Sequence, residues 1–475
     1  MILDAIPFET MWKKLHRGTW SSEAPTRFIK FIEKRLGAKF VYDSSHIPYG
    51  RSDLVELMEI AAKLKEGGLI KHVSPSFRVP DEPFFKQWRV ECATPDSHSA
   101  GGMALLEDHD ALIPALAEAV ERYLWMMVTD YFDSPQEATA KAMAGFGDVL
   151  LPERFVGWTK EQREANPRLT LKEDTKFLWV KGVSHITNDP IWVPAQTVNG
   201  VHRHEPLILA TITTGLATGP TKEFALLNGA LEILERDAFM ITWMNQLSPT
   251  RIDIEKLAEE DEELDTLLKM CARYRLKPAA ILMPTDAPVY AVCSMVEDLT
   301  TAGANVTLGL KAHRSLVSAI KGSCLEALRI RQTVRFLEQN TPLPKDKLVK
   351  DILHLERAQY WGAPGSARKL DFLIAGPKKT IEPQVWDNDT IEEHWKRIVN
   401  WAKEKGYAIA SVDVGKSKRN VSPWHIHMVV MPEMQPMHQT ERLIYLGGKR
   451  LTTIPKQFGY TPRTKPYDEE PHPFA

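Results

Sequence analysis

Apolar residues recur every three or four positions in some stretches of this chain and every second position in others, and these two periods divide it into helices and strands. Across residues 53–65, Leu54, Leu57, Met58, Ala61 and Leu64 line one helical face. Residues 87–93 (QWRVECA) read as a strand, followed by the turn-rich TPDSHSAGGM and then a helix with Pro114 suited to its first turn. Residues 133–175 are polar and charged, after which FLWVKGV and IWVPAQTV predict a hairpin. The loop TITTGLATGPT opens onto a second long helix. Further on, residues 255–273 form an acidic helical run with a solvated face, residues 279–283, 289–297 and 306–310 read as strands, and residues 317–338 as a helix. EQNTPLPKDK is an exposed break, YAIASVDV and WHIHMVVM return to strand-like runs, and the chain trails off in KPYDEEPHPFA.

Two of these helices carry the same charged signature. ALIPALAEAVERYLWMMV holds Glu118, Glu121 and Arg122, and FALLNGALEILERDAFMITW holds Glu232, Glu235 and Arg236. A helix places residues three and four apart on one face, so each segment presents two carboxylates and a guanidinium together. Glu-x-x-Glu-Arg is ordinarily a solvated pair worth about 0.3–0.5 kcal/mol. Here the flanks are apolar all round, which predicts buried helices, and a buried carboxylate costs several kcal/mol, roughly, unless a cation compensates it. Two arginines leave four carboxylates short of positive charge. The set calls for divalent cations, with a polyphosphate attached to them. A di-iron bundle would need Glu-x-x-His on two helices, whereas the third position on is Glu121 and Glu235, and an all-oxygen ligand set suits Mg2+.

With 475 residues and no Gly/Ser tract to divide them, the chain predicts two or three interleaved lobes. A formal charge of −2 argues against nonspecific binding to nucleic acid or to a membrane surface. No basic start followed by a long apolar core opens the sequence, and no run of about 18 uncharged apolar residues occurs, so a cytoplasmic location is expected. Cys92, Cys271, Cys293 and Cys324 are far apart and form no C-x-x-C, which predicts small buried hydrophobes rather than a zinc knuckle or disulfide framework.

The halves of the chain echo one another. Each shows a strand or hairpin, a loop of small residues (Ser99, Ala100, Gly101 and Gly102; then Thr213, Thr214 and Gly215 through Gly219), and a Glu-x-x-Glu-Arg helix. Glycine lets backbone N–H groups approach a phosphate, and a helix start carries partial positive charge, so loop plus helix is a sensible polyphosphate cradle. Neither a Walker-type glycine loop nor a strand-linked G-x-G-x-x-G is present.

The run TTGLATG…ALLNGALEILERDAF, with ALAEAVERY upstream and PHPFA at the end, resembles the YcaO family of ATP-dependent peptide-backbone-modifying enzymes over residues 85–475. The proline-rich end and GKRLTTIP are similar to its azoline-forming cyclodehydratase branch. The resemblance implies an α+β fold, a mixed β-sheet architecture with flanking helices in which two quasi-repeated loop–helix units form the ATP site. It implies an N-terminal adaptor lobe over residues 1–85, a catalytic domain over 86–475 and a proline-containing tail over 455–475. Glu118, Glu121, Glu232 and Glu235 match the family's acidic magnesium positions; Ser99, Gly101, Gly102, Arg122, Thr213, Thr214, Gly215 and Arg236 fall in its nucleotide site. The implied chemistry is cyclodehydration: a Cys, Ser or Thr side chain of a ribosomally made precursor peptide attacks the preceding amide carbon, ATP phosphorylates the amide oxygen, and a thiazoline or oxazoline results. In the resembled branch the tail reaches the active site, which makes Pro471, His472, Pro473 and the carboxylate of Ala475 catalytic candidates. Implied partners are the precursor peptide, an E1-like protein that binds its leader and a flavin dehydrogenase acting later; a homodimer is left open.

Three departures stand out. The tail ends His472-Pro473-Phe474-Ala475 where many relatives end His-Pro-Phe-Pro, Thr213 and Thr214 replace a serine, and the first loop has no lysine. The alternatives are an enzyme of the same family using an external nucleophile to make thioamides or amidines, and a non-catalytic scaffold of a peptide-modification complex.

Overall fold

The computed structural model describes residues 52–474 apart from 77, 78, 80, 96, 97, 128–135, 200–204, 210–212, 301–303, 345, 346, 353, 354, 419 and 468. The first 51 residues of the expected adaptor lobe, and Ala475, lie outside the described residues.

The first unit is α1 (Ser52–Glu66), then β1 (Ile70–Pro75), β2 (Lys86–Cys92) and β3 (Ser99–Ala104), an antiparallel three-stranded sheet on which α2 (Asp108–Met127) lies. The expected boundary at residue 85 falls between β1 and β2, which pair with each other. A larger sheet takes β4 (Gln136–Thr139), β5 (Asp148–Val149), β6 (Lys176–Ser184), β7 (Pro190–Pro194) and β8 (Leu216–Gly219), and its order β5-β7-β6-β14-β15-β8, with β4 on β6, draws in β14 (Ala410–Asp413) and β15 (His425–Val430). Helix α3 (Lys222–Asn245) follows β8. The third sheet, ordered β12-β11-β10-β9-β13, comprises β9 (Thr250–Ile252), β10 (Leu276–Leu282), β11 (Tyr290–Asp298), β12 (Val306–His313) and β13 (Lys378–Lys379). It is joined by α4 (Glu262–Arg273), α5 (Leu316–Asn340) and α6 (Leu355–Gly362); α7 (Ile391–Lys405) and α8 (Arg450–Gln457) complete the helices of eight or more residues among those described. Pairing is antiparallel except β5 with β7 and β9 with β13, so the α+β expectation stands.

The apolar period explains how the two motif helices pack. In α2 the buried residues Ala111, Leu112, Ala115, Leu116, Ala119, Val120 and Leu124 make one stripe, so this helix is covered on one side only, not all round as its sequence suggested. Helix α3 is buried almost throughout, and is capped at its start by the Thr221 hydroxyl, which accepts from the N–H of Phe224 at 3.2 Å. The helices press directly on the strands before them. A Cβ on Gly102 would meet the Ala111 carbonyl at 1.9 Å, and one on Gly309 would meet the Ser323 carbonyl at 2.0 Å, so α2 on β3 and α5 on β12 use the same close approach.

Several sequence expectations need correction. Pro114 is not in the first turn, because α2 starts six residues earlier at Asp108, whose carboxylate is tied to Lys86 at 2.8 Å and to the Trp88 indole at 3.1 Å. Residues 99–102 are not a loop but strand β3, in register with β2, and the second small-residue segment becomes β8 from Leu216 onward. The acidic run at 255–273 is two helices, Ile254–Ala258 and α4, because Asp261 turns to cap the second by accepting from the Leu264 N–H at 2.7 Å. The tail does not trail off: residues 471–474 are buried. The four cysteines are buried and unpaired, as expected. No helix among the described residues is long and apolar enough to cross a membrane.

Candidate functional site

The echo between the two halves is built from a repeated set of hydrogen bonds. On β3 the Gly101 N–H donates to Glu118 at 2.9 Å, 17 residues ahead on α2, and the Arg122 Nε donates to the other oxygen of Glu118 at 3.0 Å. Just before β8 the Gly215 N–H donates to Glu232 at 2.9 Å, again 17 residues ahead, and Arg236 pairs with Glu232 at 2.8 Å. Arg236 also donates to the Thr214 hydroxyl.

A third copy escaped the sequence reading. The Leu310 N–H on β12 donates to Glu326 on α5 at 2.6 Å, 16 residues ahead, and the Ala312 N–H donates to Glu235 at 2.7 Å. Glu326 belongs with the four expected glutamates. Its signal was a lone carboxylate in the apolar SCLEAL, about as far beyond Gly309 as Glu118 is beyond Gly101. The arginines after it, Arg329 and Arg331, do not repeat the Glu-Arg adjacency that made the others visible.

These carboxylates act on one another. Burial, then Glu118 and also Glu232, push Glu121 up to about 8, with Thr218 opposing. Burial pushes Glu235 up to about 7, with Lys311 opposing and Glu326 and Glu232 adding to the rise. The quartet nonetheless lines a cleft rather than a sealed interior, since the side chains of Glu118 and Glu232 remain 29% and 31% exposed. Among the described residues, no three of these glutamates bring ligand atoms within 4.8 Å of one another; the group that does is His438, Glu441 and His472. Excess negative charge among neighbouring glutamates, unfavourable as it stands, fits divalent cations bridged by a polyphosphate.

The electrostatics have a testable sign. A carboxyl group whose folded pKa exceeds its unfolded value of 4.5 stabilises the fold fully below that value and loses the contribution as pH rises through the folded pKa. In EDTA the melting temperature should therefore fall between pH 5 and about 8. Mg2+ with nucleotide should restore more stability at the alkaline end of that window than at the acid end, because binding requires the ionised form. A melting temperature that rises over this range in EDTA would contradict the assignment.

The other expected nucleotide-site residues have distinct surroundings. The Ser99 hydroxyl accepts from the Arg89 Nε at 2.8 Å, Gly102 faces α2, and the Thr213 carbonyl accepts from the Leu216 N–H at 2.9 Å, which closes the turn into β8. Gly101 and Arg122 contact Glu118, Gly215 and Arg236 contact Glu232, and the Thr214 hydroxyl accepts from Arg236.

The tail docks beside this cleft. The Trp361 indole donates to the Pro471 carbonyl at 2.8 Å, the His472 N–H donates to Glu441 at 3.2 Å, and the Phe474 ring meets Phe239 edge-on at 4.6 Å. Phe239 is one helical turn beyond Arg236. Burial above all, then the charge of Arg357, with a smaller part from Arg236, holds His472 well below the usual imidazole range, and its ring contacts Arg357 and the His438 carbonyl. His438, Glu441 and His472 form the compact group within 4.8 Å. Both oxygens of Glu441 accept from Arg357 at 3.0 Å, however, so the cation a metal would supply is already present. This is a lock for the tail. A second buried anchor, also missed from sequence, ties Asp237 to Arg450 (2.7 and 2.8 Å) and to the Gln435 N–H (2.7 Å), and fixes the C-terminal segment on α3 next to Arg236.

The family model described as YcaO cyclodehydratase, ATP- and Mg2+-binding, matches residues 106–435. A protein of Rhizobium leguminosarum bv. trifolii, described as an uncharacterized protein in the tfuA 3′ region, is 27% identical over 165 residues, which cover 33% of this chain and 39% of that protein. Among solved structures, a heterocyclase in complex with substrate and cofactor superposes with a TM-score of 0.69 at 18% identity, over 87% of this chain and 57% of that one. YcaO from Methanopyrus kandleri, bound with AMPPCP and Mg2+, gives 0.57 at 18% identity, over 81% and 91% of the two chains. The E. coli microcin synthetase McbBCD complex with pro-MccB17 bound gives 0.58 at 13% identity, over 85% and 96%. The chain thus spans well under two thirds of the first of these structures and of the Rhizobium protein.

Proposed function

We propose, from the premise that this chain belongs to the YcaO family, that it is an ATP- and Mg2+-dependent cyclodehydratase converting Cys, Ser or Thr of a ribosomally made precursor peptide to thiazoline or oxazoline. The observation that carries the reading is the repeated unit of backbone amide and glutamate, joined in the first two copies by an arginine, around an acid-rich cleft against which a Pro-His-Pro-Phe tail is locked.

Glu118, Glu121, Glu232 and Glu235, together with Glu326, are the residues that would hold magnesium. Bound ATP and magnesium supply the phosphoryl group and the charge neutralisation that make an amide oxygen able to leave. The protein's part is positioning. The backbone amides of Gly101, Gly215 and Leu310 aim Glu118, Glu232 and Glu326, and the Ala312 N–H aims Glu235. Arg236, held by Glu232 and Thr214, keeps a fixed positive charge at the edge of the cleft, and Arg122 does the same on α2. Burial holds His472 well below the usual imidazole range, and its ring is engaged at both nitrogens, Nδ1 accepting from the Phe474 N–H at 3.3 Å and Nε2 lying against the His438 carbonyl, which suits it to holding the tail in place.

Partner proteins follow the same reading. A chain of this fold sits in the E. coli synthetase complex with pro-MccB17 bound, which supports a peptide substrate and partner proteins; we take these to be an E1-like protein for leader-peptide capture and a flavin dehydrogenase for later oxidation, as the family resemblance implies. The test is mass spectrometry of a Cys-, Ser- and Thr-rich precursor incubated with the protein, its partner and Mg-ATP. Loss of one water per modified residue, with one phosphate released per ring, is the expected result. A gain of mass equal to sulfur replacing oxygen, or no change with ATP bound, would overturn it.

A further inference from the structure

An apolar cavity of about 620 Å3, counted with the solvent at its mouth, has Arg236 and Thr214 in its wall and no carboxylate among its lining residues. Its walls include Phe155, Leu209, Ile233, Val429, Met431 and Met434. On α3, Arg236 pairs with Glu232 and, with Ile233, also lines the cavity, so one guanidinium stands in a wall shared by the carboxylates and the cavity. Phosphate does not suit the cavity's side of that wall, where aliphatic and thioether groups dominate and a buried charge would be costly.

We infer that this cavity receives the side chain of the substrate residue whose own carbonyl oxygen is phosphorylated, and that it selects a branched aliphatic one. The inference rests on the peptide-cyclodehydratase reading above and adds to it a specificity pocket. The reacting carbonyl belongs to the residue immediately before the Cys, Ser or Thr nucleophile. With that oxygen held at Arg236, the same residue's side chain is the nearest apolar group to the cavity, because an extended chain sends successive side chains to opposite sides. The neighbouring residues point away.

Fluorescein-labelled hexapeptides Gly-Gly-X-Cys-Gly-Gly, with X = Gly, Ala, Val, Leu or Phe, test this through their dissociation constants in the presence of AMPPCP and Mg2+. Affinity is expected to rise about 10-fold or more from Gly to Val and Leu, as an apolar pocket discriminates among side chains. Leu209 is half-buried in the wall, so Leu209→Trp should flatten the series, whereas Leu209→Ala should shift the preference toward Phe. Affinities independent of X in the wild-type protein, or a Leu209→Trp protein that keeps the aliphatic preference, overturn the inference while leaving the cyclodehydratase reading intact. Failure of the wild-type protein to bind AMPPCP with Mg2+ in calorimetry overturns both.

Discussion

Glu121→Gln and Glu235→Gln should each lower Mg2+-dependent ATP turnover by about 10²–10³-fold, and above about pH 8 should each raise the melting temperature of the protein in EDTA. The two effects have one cause. Burial and neighbouring carboxylates make the charged forms of Glu121 and Glu235 unfavourable, at about 8 and about 7, so a neutral isostere relieves repulsion in the metal-free fold. The same change removes a ligand for the cations that offset developing charge in phosphoryl transfer, and losing one such electrostatic contribution costs roughly two to three orders of magnitude. A residue that matters only for the fold gives the opposite stability result. Phosphate release and thermal melts on the two variants decide the matter: turnover at the wild-type level, or a lowered melting temperature in EDTA, would rule out a metal-holding role. Glu118→Gln is a useful contrast. Its carboxylate already accepts from Gly101 and Arg122, so its loss should reduce stability as well as turnover.

What could be read from the sequence divides by range. The Glu118–Arg122 and Glu232–Arg236 pairs are helical neighbours, so spacing alone placed them on common faces, and the strands β10, β11 and β12 were read within a few residues because their apolar runs are nearly continuous. Where the partner lay far along the chain, local reading failed. The small-residue stretch 99–102 looked like a loop because glycine and serine are turn residues, whereas the helix packed on Gly102 is what demands them. Glu326 carries no Glu-Arg adjacency, and its place in the site depends on β12 lying next to α3, so that Ala312 reaches Glu235 across 77 residues. The tail was read as reaching the site through resemblance. The residues that hold it there, Arg357 and Glu441, are 84 apart and carry no local signature.

Arg357→Met is expected to destabilise the protein by about 3–5 kcal/mol, because it leaves the Glu441 carboxylate buried without its cation. The side chains of Arg357 and Glu441 are 2% and 1% exposed, so solvent cannot take over the lost interaction. The pair is not bound to be worth that much in its favour. Replacing both members by groups of similar volume is often near neutral, and Arg357→Met with Glu441→Gln should therefore recover most of the loss in urea unfolding. Activity should not recover with it. Arg357 also donates to the Phe474 carbonyl at 3.2 Å and contacts the His472 ring, and Glu441 accepts from the His472 N–H, so the double variant keeps the core but frees residues 471–474 from the edge of the cleft. Nucleotide affinity measured by calorimetry should stay near the wild-type value, since no ligand on α2 or α3 has changed, while peptide turnover falls. A double variant that is stable, binds nucleotide and turns over peptide at the wild-type rate would show that the docked tail is structural and has no part in the reaction.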